Sequence, residues 1–289
     1  MKTANICMPA TVCRLIAGAA KSQSLEALER GLLENPFSGF GLREKPEWQA
    51  FADSVREAWT ARGHLVVRGI PVDGGASSLL SALALGSRFK PYRGNKIVKH
   101  FKMSPWTTEL SQTIKEGHFH TDLNTAPKPP AATVIHCIKP DPKTGAGETR
   151  IVPLEALLTE LKLRKAKDTL RLLLQTEIEM VDDRKHGSWS GLIVANNEIR
   201  FHPETLRAAA RRSGTLPENL EYHLSLIREC AFAVSSPILL DRGDAVFVSN
   251  LRALHYRGPC TARYIEFPRK FEAREIYVFH LLDEPQWTR

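Results

Sequence analysis

The sequence predicts a mainly β fold with flanking helices (α+β): one β core interrupted by a helical insertion. Short apolar, β-branched runs lie at residues 131–138 and 148–152, and again at 238–240, 245–249 and 274–282. Between the two groups, over about 150–235, the apolar spacing turns helical. The regular strand–helix alternation of an open parallel sheet is missing, and so are a Gly-x-Gly-x-x-Gly fingerprint and a Walker loop. A chain of 289 residues is long enough to bury a core without staples, and β barrels often form one unit of roughly 250 residues. Residues 1–289 are therefore read as a single domain, with 1–45 as an N-terminal extension.

Each element follows from local chemistry. Residues 24–33 have helical spacing. Pro46–Arg62 is a stronger helix: Pro opens it, Trp48, Phe51, Ala52, Val55 and Trp59 form one stripe, and Gly63 stops it. His64-Leu65-Val66-Val67-Arg68-Gly69, ended by Pro71, reads as a strand, and 77–89 returns to helix. Residues 96–103 alternate and look extended. Pro127 to Pro130 is a Pro-rich loop leading into the run at 131–138, and 140–147 has turn composition. A helix opens at Pro153 and runs through 163, with spacing that extends to 174. Residues 192–194 and 198–202 flank Asn196-Asn197 as a hairpin. Helices at 203–212 and 217–230 precede the strands at 245–249 and 274–282.

Lys and Arg outnumber Asp and Glu by 40 to 32, a surplus that favours anionic partners without choosing among them. The clusters Arg164-Lys165-Ala166-Lys167 and Arg207, Arg211, Arg212 lie at helical spacing, and no nucleic-acid-binding motif accompanies them. They read as solvated helix faces. Cys7, Cys13, Cys137, Cys230 and Cys260 are odd in number and widely spaced, against a disulfide framework or a thiolate zinc site. Pro9 and Arg14 break up the mildly apolar start, a poor secretory signal, and no run reaches the roughly 18 apolar residues of a membrane span. The expectation is a cytoplasmic protein.

The chemistry concentrates at Gly117-His118-Phe119-His120-Thr121-Asp122. On an extended segment His120 and Asp122 point to one face, so both can reach one metal ion. A second His would complete a two-His-one-carboxylate set with open positions, which suits non-haem Fe(II). With 10 His and 32 acidic residues, roughly one His-x-acid match arises by chance, so the tripeptide alone does not decide.

A second segment does. Arg242-Gly243-Asp244 is a tight turn, residues 245–249 an apolar strand, and Asn250-Leu251-Arg252-Ala253-Leu254-His255 a polar kink ending in a His. Taken together, the His-Thr-Asp with its Pro-rich loop, this later segment and the Gly63 to Pro71 strand resemble the taurine dioxygenase and clavaminate synthase-like superfamily of Fe(II)/2-oxoglutarate-dependent oxygenases. The resemblance spans about residues 46–282.

That resemblance implies a distorted double-stranded β-helix (a jelly-roll, cupin-like core). It places Fe(II) on His120, Asp122 and His255, with His118 as a support or packing residue. It implies an enzyme that uses 2-oxoglutarate and O2 to hydroxylate, desaturate or cyclise a small substrate, releasing succinate and CO2. Related halogenases lack the carboxylate that Asp122 supplies here. The family's 2-oxoglutarate anchor is an Arg after the distal His, a fork for a buried carboxylate. Arg263, Arg269 and Arg274 are candidates. Arg274 opens a strand, the family's context, while the longer gap from His255 keeps Arg269 in play. Thr149, after Gly145-Ala146-Gly147-Glu148, is the family's second contact or a turn hydroxyl. Asn250 and Arg252 resemble residues that support the distal His.

His64, His100, His136, His186, His202, His223 and His280 read as ordinary packed or surface histidines. Trp106 and Trp189 either line a substrate mouth or pack. Selectivity is expected in loops at 90–117, 124–130, 181–190 and 259–270. Arg93, Lys96, Lys99 and Lys102 make the first of these basic, which suggests a carboxylate-bearing substrate such as an amino acid or natural-product intermediate. Two rival readings are a catalytically inactive cupin-like protein that binds an acidic ligand or partner, and a hydrolytic zinc enzyme on the same ligands. The sequence is silent on oligomeric state.

Overall fold

The computed structural model describes residues 3–36, 38–184, 187–213 and 219–285. The N-terminal part runs β1 (Ala4–Cys7), α1 (Ala10–Lys21), α2 (Leu25–Glu34), α3 (Pro46–Arg62), β2 (His64–Arg68), α4 (Ala76–Ala82), a 3-10 turn (Leu83–Leu85), β3 (Phe89–Lys90) and β4 (Lys99–Lys102). The middle runs β5 (Ala132–Lys139), β6 (Thr149–Pro153), α5 (Leu154–Leu163), α6 (Lys167–Gln175), β7 (Glu177–Asp182), β8 (Gly187–Leu192), β9 (Val194–Ala195), β10 (Glu198–Ile199), α7 (Pro203–Ser213) and α8 (Leu220–Val234). The last part holds β11 (Ala245–Ser249), β12 (Ala253–Arg257), β13 (Ala262–Glu266), β14 (Lys270–Ala273) and β15 (Glu275–Leu281).

The main sheet has the order β1-β2-β11-β5-β15-β3, with β4 also paired to β15. Among its described strand pairs only β1–β2 is parallel. β6 and β12 form a separate antiparallel ladder against it, and the two walls make the double-stranded β-helix core. Side-chain alternation explains why β11 is buried along its whole length. Ala245 and Phe247 join the core beneath α1, α3 and α4, while Val246 and Val248 point the other way, toward Ile151 and Ala253 of the second wall. The inner face of the sheet also carries Thr133 on β5 and His280 on β15, cross-strand partners in the ladder.

α3 keeps the predicted bounds. Pro46 stands in its first turn, and Gly63 takes the left-handed conformation (φ 65°) and caps it, its N–H bonding Trp59 O at 2.7 Å. Gly243 is required by contact. At φ 90° a Cβ there would lie 2.8 Å from Ile70 O, in the turn where Ile70 N–H bonds Gly243 O.

Several expectations need correction. The helix predicted at 77–89 ends at Ala82 and tightens to 3-10, because Gly86 (φ 61°) turns the chain into β3. The helix opening after Pro153 breaks at Leu163, where Lys165 takes φ 57° and α6 starts anew. The run at 238–240 makes only an isolated bridge, Ile238 with Thr149. The presumed loops at 181–190 and 259–270 are largely hairpins, β7–β8 and β13–β14. In the N-terminal extension β1 edges the main sheet, and Val12, Ile16, Leu28 and Leu32 are buried in its core. His186 and the start of the helix predicted from Pro217 lie outside the described residues. The basic clusters sit on ion-paired helix faces, Arg164 with Glu160 and Glu229, Arg207 with Glu204 and Glu221, Arg211 with Asp183. No described helix is long and apolar enough to cross a membrane.

His136 on β5 is fully buried, with Nδ1 2.5 Å from Ser78 Oγ, and burial pushes its pKa down to about 4. The unfolded chain binds that proton near pH 6.5, so this contribution to stability is complete above pH 6.5 and is lost as pH falls toward 4. The loss is on the order of 3 kcal/mol. Denaturant titrations of wild type and His136→Gln across pH 4–7 should converge by about that amount as pH falls. Parallel curves would contradict it.

Candidate metal centre

His120 and His255 face each other across an isolated antiparallel bridge, each N–H bonding the other's carbonyl at 3.0 Å. Their ring centroids lie 4.3 Å apart. Asp122 extends from the same segment, with His120 Nε2 3.4 Å from Oδ1 and His255 Nε2 3.5 Å from Oδ2. One donor atom from each of His120, Asp122 and His255 lies within 4.8 Å of the others. Two imidazole nitrogens and one carboxylate oxygen converging in this way fit a divalent borderline metal such as Fe(II).

The supports are specific. His120 Nδ1 donates to His118 O at 2.8 Å, turning Nε2 toward the carboxylate. His118 itself has Nε2 3.3 Å from Glu204 Oε1. Asn250, completely buried, clasps the Asp122 backbone: its Oδ1 accepts from Asp122 N–H at 2.6 Å, and its Nδ2 donates to Asp122 O at 2.9 Å and Pro130 O at 3.0 Å. Asn250→Ala leaves those groups unpaired in the interior, so stability should fall by about 3 kcal/mol and metal affinity by roughly 10–100-fold. Chemical denaturation and metal titration check both. Arg252, expected as a support, instead reaches Glu284 at 3.4 Å.

Burial works against ionisation of Asp122, but His255, His120 and His280 around it hold its carboxyl well below the usual range. Burial disfavours the imidazolium of His120, yet Asp122 outweighs it and raises that pKa. At His255 burial dominates, with His120 adding repulsion, and the pKa is lowered.

Beyond the triad, the β6–β12 register sets His255 opposite Ile151 and Arg257 opposite Thr149. Thr149 is therefore one side-chain step, roughly 7 Å, from the His255 level on the same face. Arg274, buried just before β15, lies with Nη2 3.5 Å from Thr149 Oγ1. Gly147 (φ 67°) makes room for it, since a Cβ there would come 3.1 Å from Arg274 Cδ. No carboxylate among the described residues pairs with this guanidinium. Its neighbours are Thr149 and the Cys137 thiol, and burial pushes that thiol up to about 11. The other two candidates are elsewhere. Arg269 sits exposed in the β13–β14 turn, and Arg263 is spent on Glu272.

Four groups at the site escaped sequence reasoning. His280 Nε2 lies 3.1 Å and Thr133 Oγ1 2.7 Å from Asp122 Oδ2. His202 is placed by a reciprocal clasp of Thr121 with Phe201, its ring 5.0 Å from that of His120. Arg257, half-buried, donates to the carbonyls of Leu110 and Gly258, with no carboxylate partner among the described residues. For His280 the period-two pattern of 274–282 was available; what it would face was not. Trp106 is exposed beside Tyr264 and Phe267, and Trp189 packs under Arg200. The basic residues Arg93 and Lys96 line a separate cavity of about 500 Å³ with Glu26 and Glu29, which no triad residue lines.

Comparison with known proteins agrees with this architecture. The profile of the Taurine catabolism dioxygenase TauD, TfdA family matches residues 30–266, so the chain belongs to that family of dioxygenases. Its fold is similar to an asparagine oxygenase solved with Fe(II), 2S,3S-3-hydroxyasparagine and succinate (17% identity, TM-score 0.65, 96% of this chain and 94% of that one). It is also similar to the non-heme iron oxygenase OrfP solved with Fe, succinate and (3S)-hydroxy-L-Arg (14% identity, TM-score 0.69, the same coverage). A further OrfP structure holds Fe and alpha-ketoglutaric acid (17% identity, TM-score 0.68, 97% of this chain and 94% of that one). No curated protein matches the chain in sequence.

Proposed function

We propose that the chain is an Fe(II)- and 2-oxoglutarate-dependent oxygenase that hydroxylates a small carboxylate-bearing substrate of the amino-acid class. One observation carries the proposal. Beside the β6–β12 ladder stand a two-His-one-carboxylate cluster that includes His255 and, beyond Thr149 one side-chain step along, a buried guanidinium that has no carboxylate partner among the described residues. A buried cation of this kind is costly unless an anion meets it, and a diacid that reaches the metal with one end would do so with the other.

In this reading His120, Asp122 and His255 hold the iron. Arg274, with Thr149 accepting beside it, binds the far carboxylate of 2-oxoglutarate. Iron, 2-oxoglutarate and O2 supply the oxidising power, with succinate and CO2 as by-products. The protein orients and dries the site: Ile151, Val246 and Val248 wall it on the inner side. Arg257, two residues past His255 on the same strand face, offers a cation to a substrate carboxylate, and His202 stands on the His120 side. An amino-acid substrate is also the class of the hydroxylated products in the similar asparagine oxygenase and OrfP structures. Five free cysteines suit a reducing, cytoplasmic setting.

The test is turnover. Protein loaded anaerobically with Fe(II) is given 2-oxoglutarate, O2 and, in turn, each of the proteinogenic amino acids and a set of neutral lipophilic compounds. Succinate release matched by a product one oxygen heavier is the expected outcome for at least one of them. Turnover confined to neutral lipophilic compounds would overturn the substrate class.

A further inference from the structure

We propose that Thr133 and His280 are positioning residues that hold Asp122 as a one-oxygen metal ligand and so preserve the coordination position O2 needs. The inference rests on the functional reading above. It begins with the two oxygens of Asp122, which have different surroundings. Oδ2 accepts the Thr133 hydroxyl at 2.7 Å and lies 3.1 Å from His280 Nε2. Oδ1 faces His120 Nε2 at 3.4 Å. An ionised carboxylate only accepts, so both contacts on Oδ2 are donated to it, and both use up its lone pairs.

The two donors are fixed by the sheet. Thr133 and His280 are register partners in the β5–β15 ladder, on its inner face, and both are buried. Their separation is therefore set by strand pairing, whatever the rotamer of Asp122. On the far side, the Asn250 clasp holds the Asp122 backbone. Asp122 is thus held at its backbone by Asn250 and at Oδ2 by Thr133 and His280, with Oδ1 free of both donors and facing His120, while His255 Nε2 lies 3.5 Å from Oδ2.

Coordination arithmetic makes this matter. Fe(II) with two His and one carboxylate oxygen keeps three of its six positions open. A keto acid chelating through two of these would leave one free. A carboxylate bound through both oxygens would occupy four positions with the two His, and chelating diacid and O2 would compete. Outer donors of this kind fix ligand geometry in metal sites generally.

The test compares wild type with Thr133→Val, His280→Leu, the double variant and two conservative controls, Thr133→Ser and His280→Gln, each able to donate. Near-ultraviolet circular dichroism confirms folding, and the single variants carry the test if the double variant is unfolded. Two readouts are taken without turnover: the visible absorption of the Co(II)-loaded protein, whose intensity reports coordination number, and anaerobic titration of Fe(II)-loaded protein with 2-oxoglutarate. Donor-free variants should bind 2-oxoglutarate roughly tenfold more weakly or worse and change the Co(II) spectrum, while Ser and Gln restore both. Wild-type behaviour in Thr133→Val and His280→Leu overturns this inference alone. Absence of any iron–keto-acid absorption in wild type overturns the functional reading and this inference with it.

Discussion

Arg274→Met should weaken 2-oxoglutarate binding by two orders of magnitude or more while leaving the metal site intact. The guanidinium is buried, has Thr149 and Cys137 beside it, and lacks a carboxylate partner among the described residues. Removing one partner of a buried, hydrogen-bonded ion pair costs about 3–5 kcal/mol, which is two to three and a half orders of magnitude in affinity. Met matches the stem in length, so packing around Gly147 and Cys260 survives. A consequence separates this from simple unfolding. The cofactor-free variant should be at least as stable as cofactor-free wild type, because an uncompensated buried cation has been removed. Wild type alone should then gain stability when 2-oxoglutarate is added. Thermal melts with and without 2-oxoglutarate measure this, and an equal shift in both proteins would refute the role of Arg274.

Asp122→Ala should be the most damaging change at the metal. It removes the one carboxylate in the cluster and leaves Thr133, His280 and the two imidazoles aimed at empty space. Loss of an outer partner costs a metal site roughly 10–100-fold in affinity, and loss of a ligand should exceed that. Folding stability should also drop by about 1–3 kcal/mol, because the Thr133 hydroxyl is left unpaired in the interior. Calorimetric titration with Co(II), alongside chemical denaturation, checks both numbers. Metal affinity within a few-fold of wild type would show that the ion sits elsewhere.

Much of this site was legible in the chain. His120 and Asp122 stand out because an extended segment sends residues two apart to one face. His255 was harder. It lies 133 residues later and became visible only through the Gly-Asp turn, apolar strand and Asn250 kink before it, and structurally those are the Gly243–Ile70 close approach, the doubly buried β11 and the Asn250 clasp. Arg274 was one of three candidates, and the spacing could not choose among them. The extra residues after His255 form the β13–β14 hairpin, which carries Arg263 and Arg269 out to the surface.

What stayed hidden depends on long-range register. Nothing local to residue 280 says that it faces residue 133 and, through it, Asp122. That is fixed by how β15 pairs with β5, about 150 residues away in sequence. His202 likewise reaches the site only because Thr121 bonds Phe201. β1 was missed because four residues before Pro9 give too short a pattern; pairing with β2 and the helices above it stabilise that strand. The basic loop at 90–117 sits apart from the triad in part. Its charge is real, but Arg93 and Lys96 line a cavity together with Glu26 and Glu29, away from the triad.

The central claim is that the two walls of the core bring an iron site, His120, Asp122 and His255, and a keto-acid anchor, Arg274 beside Thr149, together. Anaerobic titration of the Fe(II)-loaded protein with 2-oxoglutarate tests it most directly, read as the visible iron-to-keto-acid charge-transfer band. The account predicts a saturable band in wild type, no band in Asp122→Ala, and a far weaker titration in Arg274→Met. Folded, iron-loaded wild type that shows no band at saturating 2-oxoglutarate would contradict it.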